Sequence, residues 1–101
     1  MKRETRPERI RRYEEMLNEA QAVLRDAERA IDAYESVRPK IRELEKYYTS
    51  PTWKRDFSAS ERGELPAGLP CGVLSEDGIN DLLDEDLALA DRIRTLFSEE
   101  E

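Results

Sequence analysis

At 101 residues the chain has room for one domain. Charged residues (41%) outnumber hydrophobic ones (38%) and the net charge is −7, so any core is thin and a multilayer enzyme with a deep pocket is excluded. With no His and a single cysteine, Cys71, the sequence also excludes an imidazole base, a His-built or four-Cys metal site and an internal disulfide.

The chain opens on a basic head. Residues 1–12 carry six basic and two acidic side chains, while residues 75–101 carry two basic and ten acidic. The head offers itself to phosphate or to an acidic partner, but the overall −7 argues against nucleic acid. No 18-residue apolar run is present, so no membrane span is expected. Met1-Lys2-Arg3-Glu4 is followed by no apolar stretch, so no secretory signal is expected, and a lone cysteine suits a reducing cytoplasm.

Residues 1–49 read as one long helix. Thr5 and Glu8 have capping-box spacing, with Pro7 in the first turn. Ile10, Tyr13, Leu17, Ala20, Leu24, Ala27, Ile31 and Tyr34 then step alternately by three and four residues, and Met16, Val23, Ala30 and Val37 recur every seven beside them. Three apolar positions per heptad make a face wider than a two-stranded coiled-coil seam. Val37, Ile41, Leu44 and Tyr48 continue the stripe after two consecutive steps of three meet at Tyr34, and Pro39 follows. A kink or a break is expected at residues 36–39, because a three-residue step overwinds the seam and proline removes a backbone bond.

Residues 50–74 are punctuated by Pro51, Gly63, Pro66, Gly68, Pro70 and Gly72. They read as an ordered connection, with Ser50-Pro51 opening a short helical turn through Trp53 to Phe57. Leu65, Leu69, Val73 and Leu74 are available to pack it down. A return helix is expected over 75–98. Ser75 is its N-cap, Glu76 and Asp77 put negative charge at its positive end, and Leu74 and Ile79 have hydrophobic-staple spacing. Ile79, Leu82, Leu83, Leu89, Ala90, Ile93, Leu96 and Phe97 form its apolar face, interrupted by Asp86. The tail, residues 98–101, is expected to fray. Pairing the two helices antiparallel brings Asp86 opposite Arg38, where two costly charges would satisfy each other and set the register.

The blocks Leu44-Glu45-x-Tyr47-Tyr48, Trp53-x-x-Asp56, Gly63-Glu64-Leu65-Pro66, Gly72-Val73-Leu74-Ser75-Glu76-Asp77 and Leu82-Leu83, in that order, resemble one small bacterial family, domain of unknown function 4298. The resemblance covers roughly residues 10–97 and implies a helical, bacterial, cytoplasmic protein. It brings no activity with it.

Several clusters are candidate sites. Tyr47, Tyr48, Trp53 and Phe57 lie within eleven residues, beside Lys46, Lys54 and Arg55. They read either as a stacking surface or, preferably, as an aromatic plug that closes the helix end. Asp56, Pro66, Gly72, Ser75, Glu76 and Asp77 read as structural: Asp56 as an acceptor for loop amides or a partner of Arg55 or Arg62, and the last three residues as caps. Cys71 reads as a small loop residue, since Glu76 and Asp77 oppose a thiolate there. Asp77, Asp81, Asp84 and Glu85 invite comparison with metal-dependent nucleotide hydrolases. Those enzymes need carboxylates converging from two helices, and these fall on the side opposite Ile79 and Ile93. No metal or cofactor site is expected.

The reading is therefore all-α, a helical hairpin or three-helix bundle. At about 1.5 Å per residue the long helix, capped at Thr5 and running over residues 5–49, spans about 67 Å and the return helix, 75–98, about 36 Å. The return helix then covers residues 25–49 and leaves residues 10–24 bare. An apolar stripe of that length is an association site. The expected function is an interaction or structural module that self-associates as a homodimer, or binds a protein partner, through Ile10, Tyr13, Leu17 and Leu24. The aromatic region of Tyr47, Tyr48 and Trp53 would be a second surface. The alternative is the metal-dependent nucleotide hydrolase.

Overall fold

The structure, a computed structural model, describes residues 2–98. Three helices follow one another: α1 (Arg6–Tyr48), α2 (Pro51–Glu61) and α3 (Gly78–Ser98), with a 3₁₀ turn at Gly72–Leu74 leading into α3. No strand occurs among the described residues. The expected class holds: a long first helix, a Pro/Gly-containing linker and a return helix. Of the tail expected to fray, Ser98 closes α3 and residues 99–101 lie outside the described residues.

The chain divides into two compact units, Met1–Val37 and Arg38–Glu101. The boundary falls beside Pro39, where a kink or a break is expected, and of these two a break does not occur. Proline costs the ladder the one bond that its missing N–H would have given the Glu35 carbonyl, and α1 runs unbroken through it.

The first unit is helix and its cap. The Thr5 hydroxyl accepts from the Glu8 N–H (3.2 Å) and donates to the Glu8 carboxylate (2.9 Å). This is the expected Thr5–Glu8 closure, although the carboxylate takes the hydroxyl. Glu4 folds back so that Arg12 grips it through Nε and Nη2, both at 2.8 Å. The Arg12 hydrogen bond lowers the Glu4 carboxyl below its ordinary range, and the Arg12 guanidinium also lies 4.6 Å from the centre of the Tyr13 ring.

The second unit holds the core, which is as thin as the composition requires. Among the described residues only Leu74 (8% exposed) and Ile79 (2%) are buried hydrophobics. Ile41, Leu44, Tyr47, Tyr48, Trp53, Phe57, Leu65, Leu82 and Leu83 are half-buried. Leu74 and Ile79 are the pair expected to staple the start of α3. Arg38, Ile41 and Glu45 of α1 and Leu83, Asp86 and Leu87 of α3 line one groove, so the two charges expected opposite each other do share a site.

Two element boundaries differ from the expectation. α2 opens at Ser50-Pro51 as expected but does not stop as a short turn at Phe57; it runs from Pro51 to Glu61. Its length is set by Gly63, whose φ of 70° allows a left-handed closure. The Glu64 N–H reaches the Ala59 carbonyl (3.0 Å) and the Gly63 N–H the Ser60 carbonyl (3.1 Å), a Schellman stop. α3 starts at Gly78 rather than Ser75, because the Ser75 N–H turns back to the Gly72 carbonyl (3.2 Å) and completes the 3₁₀ turn first.

Candidate functional site

Two regions gather the residues singled out in the sequence, and they differ in kind. The first is the α1–α2 corner of the second unit. Ser50 builds it: its Oγ donates to the Tyr47 carbonyl (2.6 Å) and accepts from the Trp53 N–H (3.3 Å), so one hydroxyl ends α1 and caps α2. Pro51 follows at the first position of α2, where no N–H is needed. The sharp turn brings the aromatics together. Tyr48 meets Trp53 edge-on, with ring centres 5.1 Å apart, and Phe57, one helical turn on, stacks on Trp53 at 5.2 Å. The Trp53 indole N–H donates to the Val73 carbonyl (2.8 Å), which ties α2 to the 3₁₀ turn.

Asp56 takes none of the partners expected for it, loop amides, Arg55 or Arg62. It accepts from the Tyr47 hydroxyl at 2.6 Å, while Arg55 donates to the Thr52 hydroxyl and Arg62 to Glu64. The hydrogen bond to Asp56, aided by burial and by the nearby negative charge, pushes the Tyr47 phenol up to about 12. Ionised Tyr47 would face a carboxylate, so the bond holds the phenol neutral.

The Gly72–Asp77 signature continues the same scaffold. The Ser75 hydroxyl donates to the Gly72 carbonyl (2.8 Å) and accepts from the Gly78 N–H (3.0 Å). Gly72 itself has open space where a side chain would go. The glycine that the packing demands is Gly78, which the sequence reading passed over. A Cβ there would collide with the Gly72 carbonyl oxygen and come within 2.6 Å of Ser75 Oγ. Glu76 and Asp77 are exposed at the start of α3. Pro66 opens a turn in which the Leu69 N–H returns to its carbonyl (3.3 Å) and Gly68 supplies the positive φ, 83°.

The second region is the apolar stripe of α1. Ile10, Tyr13, Met16, Leu17, Val23, Leu24, Ile31 and Val37 are all exposed, from 40% at Val37 to 68% at Leu24. The exposure passes beyond residue 24, where the helix lengths predict that it ends: Ile31 and Val37 are exposed too, and Tyr34 between them is half-buried. On α3, Leu87, Leu89, Ile93, Leu96 and Phe97 are exposed as well, so the return helix does not use its whole apolar face for cover.

Nothing in either region assembles a metal centre. Among the described residues no three His, Cys, Asp or Glu side chains converge to hold an ion, and the Asp77, Asp81 and Asp84 series makes no such group. Among the same residues no helix is long and apolar enough to cross a membrane.

Comparison with known proteins gives one result. The family model described as a domain of unknown function, DUF4298, matches residues 10–96. No curated protein and no solved structure matches the chain.

Proposed function

Because the chain belongs to the DUF4298 family, whose function is unknown, its surfaces carry the reading. We propose that it is a small bacterial cytoplasmic interaction module that self-associates through residues 10–24 of α1. The observation behind this is the row of large apolar side chains at heptad spacing, each half-exposed or more at Ile10, Tyr13, Leu17 and Leu24. Exposed apolar groups at that spacing are what a helix presents to another helix. The α1–α2 corner is the scaffold that holds the return helix and a second, smaller surface. Its aromatic rings spend their faces and edges on one another, and the Trp53 N–H is engaged.

Sedimentation equilibrium tests the proposal directly. At high micromolar concentration the chain should run above the monomer mass. Leu17→Glu with Leu24→Glu should weaken the association by at least about 3 kcal/mol, or about a hundred-fold, by placing charge in an apolar seam. A monomer for the unmodified chain would refute self-association.

A further inference from the structure

The same stripe fixes the orientation and register of the second copy. We infer, on the basis of the self-association proposed above, that two α1 helices pair antiparallel about a two-fold axis between residues 18 and 19. Each seam residue i then faces residue 37 − i of the other copy, and the flanking positions beside the seam meet at sums of 39 (Met16 with Val23) and 35 (Glu14 with Gln21).

Size argues first. In the heptad, the position held by Ile10, Leu17, Leu24 and Ile31 is large, while Ala20 and Ala27 hold the other seam position in the middle of the stripe. A parallel, in-register pair sets Leu17 against Leu17 and Ala20 against Ala20, alternating crowded layers with empty ones. The antiparallel pair sets Leu17 against Ala20 and Ile10 against Ala27, so large fills small. Tyr13 meets Leu24. Beside the seam, Met16 falls next to Val23 of the other copy, and both are exposed in the single chain. A parallel pair would instead bring the Val23 flank to Glu28.

Charge argues second and independently. Residues 2–12 carry six basic and two acidic side chains, so a parallel pair lays a +4 head on a +4 head and aligns the two helix dipoles unfavourably. The antiparallel pair lays that head on residues 25–35, which hold Asp26, Glu28, Asp32 and Glu35 against Arg25 and Arg29. Charge also selects the register. Moving the axis one heptad step along, to residue 22, keeps the seam but lays the head on residues 32–42, where Arg38, Lys40 and Arg42 outnumber Asp32 and Glu35. That step also sets Glu14 against Glu28 on the outer flank. The shorter register sets Glu14 against Gln21, whose amide can donate to the carboxylate.

Pulsed electron–electron distance measurement on the full chain tests orientation and register together. Nitroxide labels are placed singly at Ala22→Cys and Arg29→Cys in a Cys71→Ser background. Both positions face away from the seam. At about 1.5 Å per residue, the two labels of a pair should be offset along the axis by about 10 Å at position 22 and about 32 Å at position 29. The position-29 pair should therefore be clearly the more distant. Equal separations at the two positions would mean a parallel pair and would overturn the inference while leaving self-association intact. An offset of about 21 Å at position 29 with none at position 22 would put the axis at residue 22 and overturn the register. No dipolar coupling at either position, with a monomer in sedimentation, would remove the inference together with the association on which it rests.

Discussion

The two units spend the same kinds of residue in opposite ways. In residues 38–98 the aromatic, glycine and serine positions are tied to one another: Ser50 to Tyr47 and Trp53, Trp53 to Val73, Tyr47 to Asp56, Ser75 to Gly72 and Gly78. In residues 2–37 polar side chains such as Thr5, Glu8, Glu4 and Arg12 make local contacts, and the large apolar ones other than the half-buried Tyr34 are exposed. One unit is built by contacts across loops. The other is a regular helix surface of which, within the single chain, only Tyr34 among the stripe's large side chains is half-buried. Regular apolar spacing without burial is what the proposed self-association rests on, whereas the irregular, punctuated sequence with its specific hydrogen bonds builds a scaffold.

The same substitution in the two units sharpens this contrast most. Ile79 is 2% exposed and Ile10 54%. Ile79→Ala should cost about 2–5 kcal/mol of folding stability. Ile10→Ala should cost well under about 1 kcal/mol in dilute, dissociated protein and show its effect only on association. Chemical denaturation at nanomolar concentration measures both, and equal costs would dissolve the distinction between core and interface.

A paired glycine test is next in size. Gly78→Ala forces a side chain against the Gly72 carbonyl and Ser75 Oγ and should cost about 1–3 kcal/mol. Gly72→Ala enters open space at a negative φ and should stay within about 0.5 kcal/mol of the parent. Thermal melting of the two variants side by side would expose a reversed order, which would mean that the 3₁₀ turn is not held as described.

The smallest effect concerns pH. Tyr47 has its phenol raised to about 12 by the bond to Asp56, so the folded state holds that proton more tightly than the unfolded chain does. The stabilisation is complete below the ordinary tyrosine value, near 10, and is lost as pH climbs from there through 12. Tyr47→Phe should cost about 1 kcal/mol at neutral pH and flatten the fall of stability above pH 10. Ultraviolet titration of the phenols should find Tyr47 among the last to ionise. A Tyr47 that titrates at the ordinary value would mean that the bond is absent in solution.

The sequence showed most of the fold and only part of the scaffold's wiring. Helical periodicity needs no tertiary knowledge, so α1 and the apolar face of α3 were legible from Ile10 to Tyr48 and from Ile79 to Phe97. The double duty of Ser50 with Pro51 was half-legible, because a cap is a local pattern. The extent of α2 was not: Gly63 reads as loop punctuation until its positive φ shows it closing a helix. Asp56 found Tyr47 nine residues back across the corner, a pairing set by the α1–α2 turn rather than by spacing along one helix. Gly78 escaped notice because it is demanded by a backbone oxygen six residues earlier, and close approach of two backbones leaves no mark on composition. Its position directly after the Gly72–Asp77 block was the available signal.

Pro39 has a further consequence in the time domain. α1 passes through it without interruption, yet the Glu35 carbonyl lacks the amide that residue 39 would have supplied. A helix missing one rung opens there more cheaply than at its intact turns. Opening events that begin near the Thr5 cap can therefore stop at the boundary between Val37 and Arg38 rather than sweep on into the aromatic corner. Amide exchange should therefore be faster in the exposed half of α1 before Pro39 than in the residues behind it, and equal protection on both sides would mean that the missing rung does not matter.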